Sequence, residues 1–164
     1  MNKLNRTGWS VSASIALTFL SLTAFAHDYV KNDIVIDHPW ARPTMSAVVP
    51  AAVYFEIVNN GAEDDRLVSA ATDRAKHVEL HVTETSPEGV AKMRMLKDGV
   101  AAPAHEKTSM ETGANHVMLI GLGAPLQIGE EFSMTLTFEK AGEIEVLIKI
   151  ENHQKENANQ HQYH

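Results

Sequence analysis

An all-β fold, an antiparallel sandwich or barrel, is what this sequence predicts, and three observations predict it. Short runs rich in Val, Ile, Phe and Tyr follow one another; Gly, Pro and Asn clusters separate them; no stretch sustains a helical period with a cap at each end. Ile34-Val35-Ile36 is the first short run, broken by Pro39 and Pro43 in His38-Pro39-Trp40-Ala41-Arg42-Pro43. Ala52 to Val58 reads as a strand closed by Asn59-Asn60-Gly61, a strong turn signal, and Leu67 to Ala71 follows. His77 to Val82 alternates, with Val78, Leu80 and Val82 on one face and His77, Glu79 and His81 on the other. Ser86-Pro87-Glu88-Gly89 turns the chain into a returning arm from Val90 to Leu96. His116 to Leu122, Phe132 to Phe138 and Ile144 to Ile150 complete the set, with Gly129 and Ala141-Gly142 as breaks.

Composition narrows the function classes. The 164 residues suit one domain with flexible ends, and 44% hydrophobic with 21% charged residues is an ordinary globular balance. A formal net charge of -7, with no Lys/Arg-rich run, argues against a nucleic-acid binder. Cysteine is absent, which removes disulfides, zinc–thiolate sites, iron–sulfur clusters and Cys nucleophiles together. Nine His and seven Met remain as the chemistry worth following.

Three segments are expected. Residues 1–26 read as a secretory signal peptide: Lys3 and Arg6 give a basic start, Val11 to Phe25 is apolar, and Ala24-Phe25-Ala26 is a small-x-small cleavage site. The apolar stretch is shorter than the roughly 20 residues that span a bilayer, so a cleaved leader is expected rather than a membrane anchor. Residues 27–151 form the β domain, and 152–164 a polar, His-containing, mobile tail. Export without cysteine points to an oxidising compartment, the periplasm, where a soft ligand must be thioether rather than thiolate.

His116-Val117-Met118 carries that chemistry. Residues two apart on a strand point the same way, with Cα atoms roughly 6.6 Å apart, so this imidazole and thioether can converge on one ion. The hairpin from His77 to Leu96 supplies a second pair. A five-residue loop from Thr85 to Gly89 sets His81 opposite Met93, whereas a four-residue loop pairs His81 with Arg94 and leaves Met93 on the diagonal. Two such pairs make a His2Met2 set. Neutral, polarizable sulfur favours Cu(I) over Zn(II) or Mg(II) and needs no deprotonation. A blue-copper centre is excluded because it requires a Cys thiolate.

The words His38-Pro39-Trp40-Ala41-Arg42-Pro43-Thr44, Val78-Glu79-Leu80-His81, Lys92-Met93-Arg94 and His116-Val117-Met118-Leu119-Ile120-Gly121-Leu122 resemble the periplasmic copper chaperones of the PCuAC family. The similarity runs in order from Ile34 to Phe138. It implies a cupredoxin-like antiparallel β-sandwich that holds Cu(I) with His81, Met93, His116 and Met118. The His81–Met93 and Met93–His116 intervals are each one residue longer than the family signature. The extra residue before Met93 falls in the hairpin loop, where insertions are cheap, and Met95, of the same strand parity, is the substitute thioether. Family members pass copper toward the dinuclear centre of cytochrome c oxidase, sometimes beside Sco-type proteins, which makes a cytochrome oxidase subunit or a Sco-type protein the implied acceptor.

Further Cu(II) candidates lie at the ends. After cleavage His27 offers an amino nitrogen and an imidazole, and His153, His161 and His164 in the tail can capture Cu(II) and load the Met-containing site after reduction. His38 reads as structural beside Trp40, and His77 lies about 13 Å along the strand from His81, too far to share an ion with it. The resulting expectation is a monomeric, non-enzymatic periplasmic metallochaperone that releases Cu(I) by ligand exchange. The competing reading is copper sequestration or resistance, with the tail raising capacity. A redox enzyme at His27 is the third.

Overall fold

A computed structural model describes residues 29–152. The expected signal peptide at 1–26, His27 and the tail histidines His153, His161 and His164 lie outside the described residues. Among the described residues the chain is all strand: β1 (Tyr29–Lys31), β2 (Ile34–Ala41), β3 (Ala51–Asn59), β4 (Asp65–Ala71), β5 (Ala75–Thr85), β6 (Ala91–Met95), β7 (Val100–Ala102), β8 (Lys107–Met110), β9 (Asn115–Leu122), β10 (Glu131–Phe138) and β11 (Gly142–Ile150). Every run singled out in the sequence lies in or overlaps a strand. β1, β7 and β8 were not anticipated: with three, three and four residues they are too short to show a period.

The strands follow the order β6-β5-β9-β8-β3-β2-β11-β10-β4-β7, with β1 on β2 and a further pairing of β9 with β3. Most neighbours are antiparallel, as the sequence predicts. Two short pairings are parallel, β11 with β2 and β8 with β9, so the sheet is mixed. The sheet folds over on itself as a cupredoxin-like sandwich, because Leu80, Val117 and Leu119 from one end of the order share a buried cluster with Leu67, Leu136 and Ile148 from the other. Strict alternation drives this closure. On β10, Phe132, Met134, Leu136 and Phe138 are all buried, while the alternating Glu131 and Ser133 are exposed.

One irregularity positions the future site. Between Asp37 and Trp40 the pairing of β2 with β3 shifts by one residue, from Asp37↔Glu56 to Trp40↔Tyr54. His38, with φ at +48°, sits in this bulge. The added residue reverses the face of everything after it: Ile34 and Ile36 point inward, and so does Ala41, leaving Trp40 on the outer face. There its ring lies 4.8 Å from that of Tyr54, centre to centre, tilted by 40°. Pro39, which the sequence marked as a break, is accommodated within β2 at the bulge, where a strand can tolerate a missing donor.

The inner and outer faces of β9 make opposite predictions. Leu119→Ala, on the buried face, is expected to lower unfolding free energy by about 2–5 kcal/mol in urea titrations. Met118→Ala, on the outer face, should change it by less than about 1 kcal/mol.

Candidate metal centre

The site is built on the outer face of three neighbouring strands. β9 lies between β5 and β3, and its register sets His116 opposite His81 and Met118 opposite Glu79. On the other flank, Met118 faces Ala52 of β3. Directly opposite residues in an antiparallel pair share a face, so His81, Glu79, His116 and Met118 all project to the same side. The inward residues between them, Leu80, Val117 and Leu119, are buried.

The β5–β6 hairpin corrects one expectation. Its loop runs from Ser86 to Val90, closed by the Ser86 amide donating to the Val90 carbonyl and the Gly89 amide donating to the Ser86 carbonyl. This is one residue later than the loop drawn from the sequence. The resulting register places Met95, not Met93, opposite His81; Met93 stands opposite Thr83, on the diagonal. Both thioethers are on the site's face, and both are open, Met93 at 64% and Met95 at 43% exposure. The turn residues Ser86 to Gly89 are equally compatible with either register, which is why the sequence could not choose.

The two imidazoles are held in defined states. His116 is 3% exposed, and its Nδ1–H donates to the Ala114 carbonyl at 3.0 Å. A carbonyl can only accept, so the neutral ring keeps its lone pair on Nε2. His81 Nε2 lies 2.8 Å from a carboxylate oxygen of Glu79, while its buried Nδ1 has no hydrogen-bond partner. The ring centres of His81 and His116 are 5.9 Å apart. A metal bound at about 2.0 Å from an imidazole nitrogen lies about 3.2 Å from the ring centre, so two rings on one ion can be separated by up to about 6.4 Å. The observed pair is within that reach. Among the described residues no three His, Asp or Glu side chains gather as a metal site.

Aromatic residues wall the centre on its β3 side. Tyr54 has outward parity yet is 8% exposed, covered by Trp40 and by His116, whose ring is centred 6.3 Å away. A cavity of about 360 Å³ between β2, β3 and β8 adjoins this wall, lined by Asp37, Trp40, Arg42, Glu56 and Glu111 among others, but by none of the candidate ligands. His77 faces Ile120 at the far end of β5, and His38 lies 3.5 Å from Glu151. Neither joins the centre. Sequence reasoning overlooked Glu79 and Tyr54. Glu79 was legible as the residue sharing His81's face two positions earlier; Tyr54 was not, because nothing in β3 announces that its outer face is covered.

Burial pushes the His116 pKa below its ordinary 6.5; the Ala114 carbonyl opposes this and the neighbouring His81 charge adds to it. The fold prefers neutral His116, so the unfolded chain takes up this proton first as pH falls. The resulting stability is complete above pH 6.5 and is lost as pH drops through the lower folded value. Urea midpoints measured between about pH 8 and about pH 5 should fall more steeply for the native chain than for His116→Gln. Equal slopes would contradict the assignment.

Known proteins resemble this chain in sequence and in fold. The family described as "Putative lipoprotein LpqE-like" matches residues 34–150. The putative lipoprotein Lxx21020 of Leifsonia xyli subsp. xyli is 28% identical over 128 residues, covering 78% of this chain and 75% of that protein. Among solved structures, the copper-bound PCuAC domain from PmoF2 superposes with a TM-score of 0.64 at 28% identity, covering 77% of this chain and 99% of that domain. The solution structure of CuI-DR1885 from Deinococcus radiodurans gives 0.53 at 29% identity, over 69% of this chain and 76% of that one. The chain belongs to the LpqE-like family, and its described domain is of the PCuAC type.

Proposed function

We propose that this chain is an exported, periplasmic copper chaperone that carries one Cu(I) on the outer face of β5, β6 and β9. The observation that carries the reading is the pairing of two imidazoles, His81 and His116, with ring centres 5.9 Å apart and thioethers on the same face. Similar domains in PmoF2 and DR1885 have been solved with copper bound. His116 and His81 supply nitrogen, Met118 supplies sulfur from β9, and β6 supplies a second sulfur. The register favours Met95 over Met93 for that place, since a directly opposed pair stands closer than a diagonal one.

Such a set suits transfer rather than storage. Every ligand is neutral, so none must be protonated to leave. β6 ends the strand order and is exposed along its whole length. Its thioether can be displaced by an incoming ligand while buried His116 still holds the ion. Acceptor and donor then share Cu(I) briefly before it passes on. A cytochrome oxidase subunit or a Sco-type protein is the proposed acceptor, and no step of this exchange requires an enzymatic reaction.

Anaerobic competition titration with a chromophoric Cu(I) chelator tests the assignment. One Cu(I) per chain is expected. His81→Ala, His116→Ala and Met118→Ala should each weaken retention by more than the roughly 10–100-fold that losing an outer-shell partner costs. Met95→Ala should weaken it more than Met93→Ala; the reverse order would return the sulfur to Met93. Unchanged affinity in both histidine variants would overturn the reading.

A further inference from the structure

We propose that Glu79 is a positioning residue of this centre, fixing which nitrogen His81 presents to the ion; the inference rests on the Cu(I) reading above. Glu79 and His81 lie two residues apart on the same face of β5, and Glu79 stands opposite Met118 on β9. The Glu79 carboxylate can only accept a hydrogen bond, so at 2.8 Å it holds the His81 proton on Nε2. That leaves the lone pair on Nδ1, which is buried and has no partner. An unpartnered buried acceptor is costly in a folded protein unless something else satisfies it, and an ion shared with His116 would do so.

The two imidazoles are then anchored in mirror-image fashion. His116 is tied through Nδ1 to the Ala114 carbonyl and offers Nε2. His81 is tied through Nε2 to Glu79 and offers Nδ1. A carboxylate behind a ligating imidazole fixes its tautomer and orientation and raises its basicity. It contributes one negative charge beside a set of neutral ligands, which balances the single positive charge of Cu(I) and leaves one uncompensated for Cu(II). Glu79 is partly covered, with a side chain 28% exposed beside His81 at 15%, so solvent screens this charge only in part.

Long-range ¹⁵N–¹H correlation spectra of the full chain, together with Cu(I) competition titrations, test the assignment. In the metal-free native chain His81 should carry its proton on Nε2, and added Cu(I) should shift its Nδ1 resonance. Glu79→Ala should mix the tautomers and weaken Cu(I) retention about 10–100-fold. Glu79→Gln, whose amide oxygen still accepts the bond but lacks the charge, should keep the Nε2–H tautomer and recover part of the affinity. A proton on Nδ1 in the native chain, or Cu(I) affinity unaltered by Glu79→Ala while His81→Ala and His116→Ala lose it, would overturn the role of Glu79 alone. Retained affinity in both histidine variants would instead remove the centre itself.

Discussion

The register of β9 between β5 and β3 is the constraint on which the rest of the centre depends. Strand side chains alternate with a period of two, so a one-residue slip would turn His116 and Met118 inward and expel Val117 and Leu119. Each buried Val or Leu so exposed forfeits about 1.5–3 kcal/mol, and the imidazole moved inward would need a new partner. The core face thus fixes the site face. The relative placement of His81, His116 and Met118 is maintained by leucines and valines on the opposite face, and their burial supplies the energy that holds the two rings in place.

A second device acts from the side. The bulge at His38 reverses the parity of β2 and sends Trp40 outward onto Tyr54, which in turn lies against His116. Outer-face residues of a sandwich are ordinarily solvated, and an imidazole there would be a solvated surface group. Burial beside this wall desolvates His116 and depresses its pKa. The same cover keeps it available as a neutral donor in mildly acidic surroundings. Packing on β2, three strands away from His81, thereby bears on the chemistry of the centre.

In the proposed chaperone, asymmetry between the two sides lets holding and release coexist. The β9 side is buried and hydrogen-bonded; the β6 side is an open edge with exposed thioethers. An ion held by a rigid imidazole pair and a displaceable sulfur has a defined order of ligand loss. Glu79 extends the rigid half, since it ties His81 from behind while leaving the open edge untouched.

The sequence by itself determined the strand character of the long runs, the alternation that placed His81 and Glu79 on one face, and the His116-Val117-Met118 pair. Those features depend on local periodicity, which survives without tertiary context. The softness of the donors was likewise written in composition, since a chain with no cysteine leaves thioether as its soft ligand. Tertiary structure decided what depends on register and on distant neighbours. Only pairing revealed that His81 meets Met95 rather than Met93, because hairpins of different loop position satisfy the same turn residues. Only the fold covered Tyr54 and His116, and only it united Ile148 and Leu80 in one core, because strands distant in sequence meet through sheet closure. Local chemistry specified the candidate donors; long-range pairing specified which of them share a face.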